Sequence, residues 1–358
     1  MARSHRTAMR SRPLPPRPGL PALAVALLAA AGPRLGAQPP PAPARVADLG
    51  ACALERGDSI RACRIGYRTF GRLNRERSNA VLVPTWFGGR SAGLLAYLGP
   101  ERMVDTTRFF VVAVDAFGNG VSSSPSTSAA QPGAAFPRYS VRDLVRTQHR
   151  LLTERLGVRR LHAVIGVSMG GMQAFEWAVS YPEFAARVVA VVGSPRLASF
   201  DRAHWETQLR LLEAGQRAGV ADSVLLRAIV AEQTLTLWTP EYVNRTPPDS
   251  LAALLAAQEA GLRAGFHSLD WTSQIRAMLA HDVAAPFGGS PERAARAVRA
   301  RLLVVVAARD LTVTPGPALA FARLARADTL VLHGECGHLT TSCERATLYP
   351  VVRAFLER

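Results

Sequence analysis

Residues 161–177 read LHAVIGVSMGGMQAFEW, and this stretch narrows the possible folds more than any other part of the chain. An apolar run of strand type, Ala163-Val164-Ile165, leads into Gly166-Val167-Ser168-Met169-Gly170-Gly171. An amphipathic segment then continues to Pro182. Strand, Gly-x-Ser-x-Gly and helix in that order describe a sharp turn that lifts a serine hydroxyl clear of the strand end. Glycines are needed there because side chains would collide with the neighbouring strand and the start of the helix. The helix N-terminus directs its free N–H groups toward negative charge developing at the serine. A chain with this turn needs a sheet whose strands end on one open side.

The surrounding pattern supplies such a sheet. Apolar runs recur at 79–84 (NAVLVP), 109–114 (FFVVAV), 188–192 (VVAVV), 302–307 (LLVVVA) and 329–333. Helical segments separate them, one over about 140–156 with Ser140 as N-cap and Asp143 at the capping-box position, and a last one over about 344–357. Continuous apolar strands alternating with helices predict an α/β fold with a mostly parallel sheet covered on both faces. The alternation breaks over 197–297, where helical periodicity and the aromatics Trp205, Trp238, Phe266 and Trp271 indicate a helical insertion.

The 358 residues suffice for one large domain with such an insertion. All 43 basic residues are Arg, which excludes lysine nucleophiles and Schiff bases. The formal charge is +16, with six Arg and no acid within 1–37. No basic stripe with interleaved aromatics follows, so the balance reads as solvated faces and not as a nucleic-acid surface. Residues 1–37 combine Arg3, Arg6, Arg10, Arg12 and Arg17 with an apolar stretch from Leu20 to Ala31 and small residues at Gly36-Ala37. This is the layout of a secretory signal, too short to span a bilayer, so stable membrane insertion is not expected and a periplasmic or secreted location is. Residues 38–48 read as a Pro-rich linker.

Export gives the four cysteines meaning. Three pairings are possible, and local pairing, Cys52–Cys63 and Cys336–Cys343, is expected. A two-residue hairpin turn at Gly57-Asp58 would set Cys52 across from Cys63. Neither pair has the spacing of a zinc ribbon or finger, and no metal or cofactor is expected.

A serine nucleophile needs a base, an orienting acid and two N–H donors for the oxyanion. Asp310, just past LLVVVA, is the acid candidate, with an N-cap as its alternative role. His338, behind Gly337 after the last strand, is the base candidate, with His333 as rival. The order Ser168, Asp310, His338 is the chain order such sheets use. Met169 and Phe87 are the oxyanion-hole candidates, with Trp86 as the alternative to Phe87 in the segment Thr85-Trp86-Phe87-Gly88-Gly89. Asp115, with Gly118, Gly120 and Ser122, is a structural turn at the pocket entrance. It lacks the Lys and spacing of a phosphate loop.

Together, YSVRDLV, GVSMGGMQAFEW, YPEF, AARDLTVTP and the Gly337-His338 pair resemble the α/β-hydrolase superfamily, and within it the homoserine O-acetyltransferase-like branch. The resemblance implies a Ser168-Asp310-His338 triad, an acyl-enzyme intermediate, and a helical lid at 197–297 inserted into a core of 49–196 and 298–358. It also implies a possible homodimer through the lid. Several positions depart from the branch. Thr85-Trp86-Phe87-Gly88-Gly89 replaces its His-Ala-Leu-Thr-Gly. Leu339 stands where the transferases carry an Asp thought to hold the substrate amine, and losing it removes discrimination for an amino acid. Acyl-CoA is a cytoplasmic donor that an exported enzyme would not meet. The expected activity is therefore hydrolysis of a small carboxylic ester or related acyl group. The alternative is acyl-CoA-dependent O-acyl transfer.

Overall fold

The computed structural model describes residues 43–358, so the expected signal segment and the start of the linker lie outside the described residues. The strands are β1 (Arg45–Asp48), β2 (Cys52–Ala53), β3 (Ser59–Ile60), β4 (Arg64–Phe70), β5 (Ala80–Pro84), β6 (Phe110–Val114), β7 (Leu161–Val167), β8 (Ala185–Val191), β9 (Arg301–Ala307) and β10 (Asp328–Leu332). Eight form one sheet in the order β1-β4-β6-β5-β7-β8-β9-β10. From β6 to β10 every pairing is parallel, and β1 and β4 add an antiparallel edge. The linker expected over 38–48 is thus corrected at its end, because Arg45–Asp48 pairs with the open edge of β4.

The apolar runs form central strands because both of their faces are covered. Leu82, Val112, Val164, Val188 and Val304 pack on one side. Their sequence neighbours Val83, Val111, Ile165, Val189 and Val305 pack on the other. Helices α1 (Val141–Arg150) and α2 (Met169–Ser180) follow β6 and β7. Ser140 and Asp143 form the expected capping box, and a single wide helical turn, Leu151–Arg155, extends α1. Helix α2 differs from its amphipathic reading. Every residue from Met169 to Val179 is buried, because α1 and the sheet enclose it.

Between β8 and β9 lie α3 (Ser199–Arg217), α4 (Asp222–Leu237), α5 (Pro240–Val243), α6 (Leu251–Arg263), α7 (Ser268–Leu279) and α8 (Pro291–Ala297). Helix α8 packs on α2 and on α9 (Gly316–Ala325), so the end of the stretch expected as lid belongs to the layer covering the sheet. Helices α10 (Thr340–Cys343) and α11 (Arg345–Glu357) complete the chain. No helix of the described residues is long and apolar enough to cross a membrane.

Both local disulfides form, Cys52–Cys63 and Cys336–Cys343. The hairpin geometry is not the one expected. Cys52 pairs with Ile60, and the tip is closed by Leu54 N–H on Asp58 O, so the turn is longer than Gly57-Asp58. Cys63 comes back through a left-handed residue, Ala62 at φ +49°. Its backbone then bonds Leu49 and Gly50, which brings the sulfurs together with the Cα atoms 5.7 Å apart.

Candidate active site

The site lies where the parallel strands end. Ser168 follows β7 directly and adopts φ +58°, ψ −122°, a conformation L side chains rarely take. Its N–H bonds Val191 O and its carbonyl accepts from Met172 N–H, so the turn is held from both sides. A Cβ at Gly166 would sit 1.8 Å from Gly170 O, and one at Gly170 would sit 2.8 Å from Pro84 O. Strand, helix and neighbouring strand therefore approach to backbone contact around the serine, as the motif implies.

Asp310 and His338 converge on this serine from loops after β9 and β10. His338 Nδ1 lies 2.7 Å from Asp310 Oδ2, and His338 Nε2 lies 2.8 Å from Ser168 Oγ. Asp310 Oδ1 accepts from the Thr312 and Val313 N–H groups, so one carboxylate oxygen closes its own loop and the other faces the imidazole. Helix α9 starts only at Gly316, which removes the N-cap role. His333 is exposed and takes no part. The Cys336–Cys343 disulfide brackets the turn that carries His338. Thr239 donates to Glu335 O, and Arg245 pairs with the Glu335 carboxylate, which ties the insertion to the same turn.

Phe87 and Trp86 lie on the loop after β5, the strand next to β7. A buried amide chain holds this loop. Trp177 donates to Gln148 at 2.8 Å, Gln148 to Gln173 at 2.5 Å, and Gln173 to Thr85 O at 3.0 Å. From the other side Gln274 of α7 accepts from Gly88 N–H at 2.7 Å and donates to Phe117 O at 2.7 Å. Glu176, also in α2, is fully buried against Arg142, and burial raises its carboxyl against the pull of that guanidinium. The quoted segment MQAFEW is thus the frame of the site: Gln173 and Glu176 are polar groups kept inside because each has partners.

A cavity of about 510 Å³ opens over Ser168 and His338. The core contributes Trp86, Phe87, Gly88, Tyr97, Thr312 and Leu339, and the insertion adds Trp205, Gln233, Leu237, Trp238, Gln258, Leu262 and Trp271. Phe87 stacks edge-on between Trp205 and Trp271, at 4.9 and 4.8 Å between centroids. Apart from His338 and the phenol of Tyr97, no ionisable side chain lines the cavity, and none carries a carboxylate or a basic group of Arg type. Asp115 is not at its entrance: its Oδ1 accepts from Ser91 N–H and Asn119 Nδ2, a purely structural turn.

A family profile described as alpha/beta hydrolase fold matches residues 81–340. This chain belongs to the α/β hydrolases. An ethyl acetate hydrolase of Pseudomonas veronii is 35% identical over 201 residues, 55% of this chain and 58% of that protein. A homoserine O-acetyltransferase of Geotalea daltonii is 38% identical over 161 residues, 40% of this chain and 44% of that protein. The chain thus aligns with only about half the length of these curated relatives. Among solved structures, the acetyl esterase MekB superposes with a TM-score of 0.81 at 27% identity, covering 88% of this chain and 95% of that one. The relatives of this α/β hydrolase therefore include both esterases and homoserine O-acyltransferases.

The sequence did not reveal several members of the site. Gln274, Gln233 and Gln258 carry no motif, and Thr312 has no signal beyond its closeness to Asp310. The aromatics of the insertion were visible as a cluster, but not as a cavity wall.

Proposed function

We propose that this α/β hydrolase is an exported serine hydrolase that cleaves small neutral carboxylic esters with water as acceptor. The observation that carries the reading is the Ser168–His338–Asp310 hydrogen-bonded chain at the base of a cavity without charged walls. In the cycle we infer, His338 takes the Ser168 proton as the serine attacks the ester carbonyl. Asp310 holds the Nδ1–H tautomer and stabilises the imidazolium. The N–H groups of Met169 and Phe87 receive the oxyanion, with Trp86 the alternative second donor. Gly88 is less suited because Gln274 already engages its N–H. One such donor contributes about 3–4 kcal/mol to the barrier reduction. His338 then protonates the leaving alcohol and later deprotonates water.

Leu339 lines the cavity where an amino-acid substrate would need a carboxylate partner. Nor does the wall offer a cation to a phosphate or a carboxylate. Burying an ammonium or carboxylate there unpaired costs several kcal/mol. Both observations support a neutral ester over homoserine. Two local disulfides support an oxidising compartment and hence export.

The test labels purified protein with a fluorophosphonate and compares ethyl acetate with acetyl-CoA plus homoserine. Labelling at Ser168 with ester turnover is expected. Absence of labelling rejects a serine mechanism, and homoserine-dependent CoA release rejects hydrolysis in favour of acyl transfer.

A further inference from the structure

The insertion hides a polar chain that the proposed reaction does not use. On α3, His204 and Gln208 stand one helical turn apart, and on α4 Glu232 and Gln233 face them. Glu232 Oε1 lies 2.7 Å from His204 Nδ1, Gln208 Nε2 lies 3.2 Å from His204 Nε2, and Gln233 Nε2 reaches Gln208 Oε1 at 3.4 Å. His204, Gln208 and Gln233 are all buried. The chain ends in the cavity, which Gln233 lines together with Gln258. Gln258 is itself held by the Thr234 hydroxyl at 3.0 Å.

The chain has a direction. A carboxylate only accepts, so His204 donates from Nδ1, and the Gln208 amide nitrogen facing the other side of the ring makes Nε2 the acceptor. Gln208 then donates its amide N–H to Nε2 and offers its oxygen to Gln233. The amide nitrogen of Gln233 is thereby taken up within the helices, and its oxygen is left for the cavity. Gln233 Oε1 is not enclosed, so its hydrogen bond comes from what fills the cavity, water or substrate.

We infer that Gln233 is a specificity residue for the hydrolase reaction proposed above: its side-chain oxygen accepts a hydrogen bond from a hydroxyl group on the ester, while Gln258 offers the companion amide. The hydroxyl is carried by the acyl portion or the alcohol portion of the substrate. Glu232, His204 and Gln208 are positioning residues that fix which end of the Gln233 amide faces the ester.

Matched esters of equal size test this in the full chain. Ethyl β-hydroxybutyrate against ethyl isovalerate probes the acyl portion. Ethylene glycol monoacetate against propyl acetate probes the alcohol portion. The unmodified protein should favour the hydroxylated member of one pair by about tenfold or more in kcat/KM. Gln233→Met should bring that ratio to about one, and Gln208→Met should lower it part of the way. A ratio near one in both pairs, or a preference that survives Gln233→Met, overturns the inference. Should Gln233→Met fail to fold, the ratio in the unmodified protein decides alone. Fluorophosphonate labelling and ethyl acetate turnover are followed in parallel. If both are absent, the hydrolase reading falls and takes this one with it. If both are present without hydroxyl preference, only this one falls.

Discussion

The α/β core and the helical insertion meet at one cavity but are built in different ways. In the core, polar side chains near the serine are held by backbone groups and by each other, and the strands bury both faces. In the insertion, six large apolar side chains stay exposed: Phe200, Leu211, Val220, Val224, Leu235 and Leu251. Elsewhere among the described residues only Val46 and Leu324 do so. The insertion meanwhile buries His204, Gln208 and Gln233. A core under backbone-contact constraints keeps a reactive geometry. A helical layer joined mainly by side chains has freedom to vary what the cavity accepts. Chemistry should therefore fail abruptly when the core is touched, whereas changes in the insertion should alter selectivity first.

The largest effect is expected at Ser168. Ser168→Ala should lower kcat for ethyl acetate by about 10⁴–10⁶-fold while leaving the melting transition in place. Activity that survives would locate the chemistry outside the core. Next comes a matched pair of glycines. Gly166→Ala forces a methyl group onto Gly170 O and should cost about 3–5 kcal/mol in urea unfolding. Gly261 of α6 has open space around its Cβ position, so Gly261→Ala should be neutral or stabilise by up to about 1 kcal/mol. Equal costs at the two positions would erase the contrast between the regions.

Gln274→Leu probes the junction. It removes the acceptor from Gly88 N–H and the donor to Phe117 O, so the Phe87 loop loses one of its two clamps. A fall in kcat of about 10- to 100-fold is expected, with KM changing less. A change confined to KM would mean that Gln274 shapes binding and not the oxyanion geometry.

The smallest effect concerns His281, buried where α7 returns to the core. Burial, with the Arg142 charge adding to it, pushes this imidazole down to about 3. The unfolded chain binds its proton near the ordinary value of about 6.5, whereas the folded protein does not. Stability is therefore full above about pH 6.5 and declines as pH falls toward 3, by up to about 1.4 kcal/mol per pH unit. His281→Leu should flatten that part of the stability curve measured by urea unfolding. An unchanged slope would show that His281 is not the group responsible.

Short-range signals account for what could be read from the chain. Ser168 was legible because a strand, a glycine-bracketed turn and a helix occupy consecutive residues, each with its own periodicity. The placement of Asp310 and His338 beside Ser168 was legible because each follows a strand that reads as a continuous apolar run. Local pairing of the cysteines was legible too, although the hairpin that carries Cys52 has another register. A turn at Gly57-Asp58 and the longer one observed are both compatible with those residues. The burial of α2 on all sides was not legible, since Gln173 and Glu176 look like a solvent face until Gln148, Thr85 and Arg142 are brought to them.

The sequence by itself determined the sheet, the turn that presents Ser168 and the order of acid and histidine, because each depends on contacts between near neighbours or on strand periodicity. Only the tertiary structure decided which side chains surround the serine. Gln274 lies 186 residues from the Gly88 it holds, and Gln233, which lines the cavity, is held by Gln208 on another helix, itself against His204. A glutamine carries the same side chain on a solvated surface as in a buried relay. What it does depends on the partners that distant segments supply, and those are set by packing.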